Sequence, residues 1–322
     1  MIDLFPVNKG DFPEPVVVTG AGGCIGSWVL YLLQRAGVSV IALDLRKDTR
    51  RPSLLMTEEE LASIAWLEGD ISDPKIITHA VEQHKASAII HLAALQIPFC
   101  KADPILGAQV NVVGTINVLE AARQFGIKRL AYASSIAAHG VFDPDTLSTL
   151  YGAYKYCNEA TAKVYMQDWG VPSTCLRPGI VYGVGRDQGM SSKTTVAILA
   201  AAMKQAYTVP FLGPVSWLHA GEVASAFIKS VSQPRNEARV FDINGVIATV
   251  EESIKVIQKI EPNAQITIEG APLPFPTNLS DEPLRAYLGD YGSVNLVQGI
   301  EHTYDSFCKL VRSGKIGPDS FA

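Results

Sequence analysis

Tyr151 and Lys155 stand four residues apart in LYGAYKYCNE, and Ser135 lies upstream in YASSIAAHG. On a helix, positions i and i+4 share a face, so the phenol and the ammonium would be neighbours. A phenol with an ordinary pKa near 10 is a poor base at neutral pH. A cation beside it favours the phenolate, and such a pair suits removal of a proton from a substrate hydroxyl. Ser135 closes a strand-like run, RLAYASS (129–135), where its hydroxyl can donate to an oxygen becoming a carbonyl. A YxxxK spacing by itself also occurs on ordinary surface helices, so the elements that would position these groups decide its meaning.

The segment VVVTGAGGCIG (16–26) is an apolar β-branched run that ends in Gly20, Gly23 and Gly26. A helical pattern follows over Ile25–Ala36 and stops at Gly37. Such glycines let the backbone approach a pyrophosphate at a helix N-terminus; a tight strand-to-helix turn alone would use the same residues. Asp44 ends the next strand, VSVIALD (38–44), where a carboxylate can accept hydrogen bonds from ribose hydroxyls. It would also repel a 2′-phosphate, so NAD is expected over NADP, with Arg46, Arg50 and Arg51 keeping NADP open. Asp70, in EGDISD (68–73), is a candidate adenine contact, and Asp73 either joins it or caps a helix before Pro74. With a nicotinamide at hand, proton loss to Tyr151 can accompany departure of a hydride from the same carbon.

Further apolar strands read at SAIIHLAA (87–94), RLAYASS and STCLRPG (173–179), alternating with helical patterns at about 106–125 and 153–168. Continuous apolar strands between amphipathic helices predict an α/β fold with a doubly wound parallel sheet covered on both faces. The pattern loosens after Gly183. Residues 1–178 are therefore expected to form the dinucleotide-binding domain and 179–322 a smaller α/β substrate lobe. The 216–245 stretch, with ARVFDING at 238–245, is expected to return to the first domain.

Composition bounds the rest. With 322 residues, 48% hydrophobic and 18% charged, the chain can bury one large core and a smaller one. A net charge of −5 with no basic stripe argues against nucleic acid. The start MIDLFPVNKGDFPEP lacks a basic, apolar leader, and no charge-free apolar run reaches about 18 residues, so neither signal peptide nor membrane span is expected. Five scattered cysteines without CxxC read as reduced thiols in a cytoplasmic protein. Six scattered histidines give no metal-ligand spacing.

Taken together, TGAGGCIG, Asp44, Gly69-Asp70, HLAA, Asn111, SSxxxxG, YxxxK and RPGIVYG resemble the extended short-chain dehydrogenase/reductase family, also called NAD-dependent epimerases/dehydratases, over roughly residues 14–310. The resemblance implies a Rossmann-like sheet, a smaller C-terminal lobe and a tightly bound nicotinamide dinucleotide. It places the family's catalytic serine on Ser135, next to Ser134, its tyrosine on Tyr151 and its lysine on Lys155. Cofactor contacts fall on Gly20, Gly23, Cys24, Ile25, Gly26, Asp44, Asp70, Ile71, Leu92, Ala93, Ala94, Asn111, Tyr151, Lys155, Pro178, Ile180 and Val181. His139 stands where a tyrosine is common. Family dimers pack two long helices per subunit, here 106–125 and 153–168, so a homodimer is expected.

Members acting on nucleotide-sugars read R-x-x-N-x-Y-G, but here Ile180 replaces the asparagine. They also carry an arginine where VSWLHAGEVA (215–224) has Val215. Losing both contacts is hard to reconcile with a bound diphosphate, so a small substrate without a nucleotide is expected. Its candidate contacts are Gln96, Ser135, Ile136, Tyr151, Gly179, Arg186 and Ser191. Arg186 in GVGRDQGMSS is either a carboxylate anchor or a surface loop arginine, and Gln96 either a substrate contact or a helix cap. The expected reaction is NAD-dependent oxidation of a secondary alcohol on a small sugar or sugar acid, as in uronate or erythronate dehydrogenases. Sugar epimerisation through transient oxidation, with no net NADH, is the alternative.

Overall fold

The computed structural model describes residues 4–317. All four residues of β1 (Val16–Thr19) are buried, because each face of the strand packs against its own layer. Val16 and Val18 point into a core shared with Trp28, Val29, Leu33, Ala224 and Phe227. Val17 points the other way, among Ile77, Val81, Val118, Leu119 and Ala162. This two-sided burial is why the strand is an unbroken valine run and not an alternating one.

Around β1 stand β2 (Val40–Asp44), β3 (Ala65–Glu68), β4 (Ala88–His91), β5 (Arg129–Ala133) and β6 (Ser173–Pro178). Beyond β6 the chain forms β7 (Val181–Tyr182), β8 (Tyr207–Val209), β9 (Pro214–His219), β10 (Ala238–Ile243), β11 (Val246–Thr249) and β12 (Ile266–Ile268). The main sheet has seven strands in the order β10-β6-β5-β4-β1-β2-β3, every pair parallel. The fold is α/β and doubly wound. Helix Cys24–Arg35 and helix Ala220–Val231 cover one face; Pro74–His84, Gly114–Phe125 and Leu150–Trp169 cover the other. From β1 the chain moves outward through β2 and β3, then returns to β4 on β1's other side. A crevice opens at that reversal, above the strands' carboxyl ends.

The lobe's strands form smaller sheets. β9 pairs parallel with β7 and antiparallel with β11, and β8 pairs with β12. β10 lies against β6 in the main sheet. Apolar residues of the lobe, including Phe211, Trp217, Ile254 and Phe307, belong to the same core as Val16 and Val18.

Two helices differ from their sequence reading. The 106–125 stretch is not one α-helix: an α-turn, Pro104–Ala108, passes through a π-helical segment, Gln109–Val113, into Gly114–Phe125. The widened turn frees the Asn111 carbonyl, which accepts from Thr115 Oγ1 at 2.8 Å and from Asn158 Nδ2 at 2.8 Å. By length and composition Pro104–Phe125 is also apolar enough to cross a membrane, and half of it is buried in the fold. The second helix begins at Leu150, not 153, because the Thr149 hydroxyl caps it by accepting from Gly152 N at 3.0 Å. Tyr151 is thereby brought into the helix's first turn.

Candidate active site

The crevice is a cleft of about 540 Å³ lined by residues from both halves of the chain. Its floor is the turn after β1. Gly20 has a φ of +66°, and a Cβ there would sit 2.6 Å from Ala93 N. A Cβ on Gly22 would lie 2.7 Å from the Asp48 carbonyl oxygen. Helix Cys24–Arg35 starts at Gly23 with no side chain capping it, so its first N–H groups face the cleft and suit an anion.

Asp44 closes one side. Its carboxylate accepts from Gly22 N at 2.9 Å and Leu45 N at 2.8 Å, which fixes its orientation and leaves acceptor capacity for hydroxyls. Burial raises its pKa, against those two hydrogen bonds. Asp70 lines the cleft and accepts from Ser72 N at 2.9 Å. Asp73 caps the next helix through Lys75 N. Of the three arginines beyond β2, Arg50 pairs with Asp48, and only Arg51 lines the cleft. The β1 and β4 ends are tied together by Thr19 Oγ1 and His91 Nδ1 at 2.7 Å, with His91 pushed down to about 3 by burial. The same threonine oxygen accepts from Leu92 N and Ala93 N, both at 3.2 Å, presenting the 92–94 backbone to the cleft.

Gly20, Gly23, Cys24, Ile25, Gly26, Asp44, Asp70, Ile71, Leu92, Ala93, Ala94, Pro178, Ile180 and Val181 all line this cleft. Asn111 is not among these lining residues. It is buried behind the wall, where its side chain accepts from Leu95 N at 2.7 Å and donates to the Leu95 carbonyl at 2.9 Å. The π-turn turns it toward β4's exit loop and away from the cleft.

Ser135, Tyr151 and Lys155 converge at the cleft's centre. The Ser135 hydroxyl lies beside Tyr151, whose pKa it helps to lower, and accepts from Ala137 N at 3.2 Å. Ser134 is turned away: its hydroxyl donates to Glu159, which itself holds Arg177. Lys155 Nζ donates to the Ala133 carbonyl at 2.6 Å and lies 5.6 Å from the Tyr151 ring centroid. Burial lowers the Lys155 pKa to about 8. Burial also raises that of Tyr151, opposed by the Ser135 hydrogen bond and by the charge of Arg186. Arg186 is thus a second cation acting on the phenol, beside the Lys155 ammonium under its ring.

Arg186 reaches inward instead of lying on the surface. One terminal nitrogen donates to Ser191 Oγ at 3.2 Å, while its Nε is buried without a protein partner. Gln96 occupies the N-cap position of helix Ile97–Ala102, yet its side chain makes no cap bond. It points instead at Gly189, where a Cβ would lie 2.7 Å from Oε1. Ile136, Gly179 and Ser191 line the same region. The sequence reading missed the apolar wall of Phe99, Leu106, Met190 and Phe275. Phe275 is brought in from the proline-rich 271–284 stretch, where no local pattern marks it. His139 lies outside the lining, paired with Asp242 at 2.9 Å. Among the described residues no group of three His, Cys, Asp or Glu side chains could hold a metal ion.

The sequence pattern of the NAD dependent epimerase/dehydratase family matches residues 16–244. The chain belongs to this family. Among curated relatives, mouse UDP-glucose 4-epimerase is 34% identical over 39% of the chain and 39% of its own length. Bovine mitochondrial L-threonine 3-dehydrogenase is 26% identical over 84% of the chain and 77% of its own length. Among solved structures, an L-threonine dehydrogenase from Clostridium difficile superposes with a TM-score of 0.80 at 20% identity, over 95% of this chain and 100% of that one. The Thermus thermophilus UDP-glucose 4-epimerase in complex with NAD gives 0.74 at 24% identity, over 91% and 98%. The family's cofactor is NAD, and the residues present fit it: bare glycines, a free helix N-terminus and a fixed carboxylate where a ribose would bind.

Proposed function

We propose that this protein oxidises a secondary alcohol on a small carboxylate-bearing molecule, a sugar acid or a comparable hydroxy acid, with NAD as acceptor. The observation that carries the reading is Arg186, an inward guanidinium with an unpartnered buried Nε close enough to Tyr151 to lower its pKa. A carboxylate held there leaves a neighbouring hydroxyl within reach of the Tyr151–Ser135 pair. Bound NAD supplies the hydride acceptor. Tyr151, as phenolate, takes the hydroxyl proton, and Ser135 donates to the oxygen as it becomes a carbonyl. Lys155, anchored on Ala133, holds positive charge beneath the tyrosine ring.

The cleft's chemistry disfavours a nucleotide-sugar. Ile180 lines it as an apolar residue and Val215 is buried in β9, so neither place offers a donor to a diphosphate. One relative, matched over 84% of the chain, is named for L-threonine, itself a secondary alcohol beside a carboxylate. A second reading, epimerisation through transient oxidation, is supported by the match to UDP-glucose 4-epimerase. Absorbance at 340 nm across sugar acids, neutral polyols and L-threonine tests both. Steady NADH formation on an acid supports the dehydrogenase; product change without NADH supports the epimerase.

We also propose a homodimer. Val113, Val164 and Trp169 are exposed apolar residues on the two long helices, and light scattering showing only a 34.7 kDa species would refute it.

A further inference from the structure

The loop after β7 carries two adjacent charges that diverge. Arg186 turns inward toward Tyr151. Asp187 turns across the cleft to Arg51, a residue of the segment that follows β2. Arg51 Nε and one terminal nitrogen reach the same Asp187 oxygen at 2.9 and 2.8 Å. Its other terminal nitrogen donates to the Gly22 carbonyl at 3.4 Å. The arginine side chain is only 16% exposed, its partner 49%. Gly22, Arg51 and Asp187 all line the cleft, so the pair spans from the glycine turn to the substrate lobe. The loop is flanked by Gly185 and Gly189 at φ of +88° and +96°, conformations side chains resist.

We propose that Arg51 and Asp187 form a clasp across the mouth of the dinucleotide cleft, and that opening of this ion pair gates the entry and exit of NAD. The proposal rests on NAD binding and not on the substrate reading. Its kinetic signature follows from the contact being between two protein groups. A barrier of that kind is crossed in both directions, so removing it speeds association and dissociation together. The dissociation constant stays nearly constant, because a ligand that does not distinguish two protein states shifts neither. A partly exposed ion pair contributes about 1 kcal/mol, or about fivefold in each rate. The pair also positions Arg186, since the two residues are consecutive.

Stopped-flow fluorescence of NADH binding to the full chain tests the clasp. Asp187→Asn and Arg51→Gln are each expected to raise both rates about fivefold, and the double variant is expected to go no further. Added salt should speed the parent and leave the double variant unchanged. Arg50→Ala, whose partner Asp48 lies on the same segment, should behave like the parent. Unchanged rates in Asp187→Asn would overturn the proposal. So would a weakened dissociation constant in Arg51→Gln alone, which would make Arg51 a direct cofactor ligand. Because Asp187→Asn alters one half-exposed loop residue, and the salt dependence needs no variant at all, a poorly folding Arg51 variant would not leave the question open.

Discussion

The Lys155 ammonium sits 5.6 Å from the centre of the Tyr151 ring and is held there by the Ala133 carbonyl at 2.6 Å. Its hydrogen bond goes to the backbone of β5, while Ser135 lies beside the phenol and helps to lower its pKa. Burial therefore works against the phenolate, and Ser135 and Arg186 work for it, with the Lys155 ammonium placed beneath the ring.

Burial raises the Tyr151 pKa, so at neutral pH the base form is scarce until NAD's positive ring lies nearby. Alcohol oxidation should rise with pH through the neutral and mildly alkaline range as the phenolate forms. Tyr151→Phe should lower turnover roughly a hundredfold to ten-thousandfold and flatten that rise. NAD binding, measured by fluorescence titration, should be nearly intact. Near-normal turnover in this variant would remove the mechanism.

Arg186→Ala should raise KM for an acid substrate roughly ten- to a hundredfold, the worth of a charge-assisted hydrogen bond of about 1.5–3 kcal/mol. Because Arg186 also lowers the Tyr151 pKa, the rise of kcat with pH should move to higher pH. A neutral polyol should show the pH shift without the KM effect. Parent-like kinetics on every acid would favour a neutral substrate.

Asp44 accepts two backbone N–H groups and so keeps its carboxylate aimed at the cleft. NAD+ should bind more tightly than NADP+. Asp44→Ser, which removes the charge, should narrow the preference by about tenfold or more, equal to about 1.4 kcal/mol. Paired titrations with the two cofactors check this. Tighter NADP+ binding in the parent would mean that Arg51 outweighs the carboxylate.

Glu222 is 1% exposed, has one oxygen unpartnered and pairs with Arg285 at 3.2 Å. Burial raises its pKa to about 7. Its folded value exceeds the ordinary 4.5, so the folded state holds the extra proton between those values. The penalty for ionising is thus absent at acid pH and complete above about pH 7. Glu222→Gln should raise the melting temperature at pH 8, by about 1–2 kcal/mol of stability once the lost charge opposite Arg285 is discounted. Near pH 5 the gain should shrink toward zero. Thermal scans at the two pH values decide it; an equal effect at both would reject the buried ionisation.

What the amino-acid sequence determined by itself was local and periodic. Gly20 and Gly23 mark the turn between strand and helix and Gly26 the helix's first turn, where bare backbone allows close approach, and unbroken β-branched runs such as VVVT demand burial on both faces. The i, i+4 spacing of Tyr151 and Lys155 sets them on one helical face in any fold. Those constraints act within a few residues, so an α/β fold and a dinucleotide site were legible in them, and tyrosine-lysine chemistry was an expectation they raised. The tertiary structure decided what depends on distant partners. The Asn111 side chain is held by the 95–100 loop, a partner that the spacing of its own segment does not show. Ser134 and Ser135 are equivalent in sequence, and only Glu159 on the following helix separates them. Phe275 joins the cleft and Asp187 reaches Arg51 across 136 positions of chain. Such contacts arise from packing of complete layers, and no spacing rule within one segment encodes them.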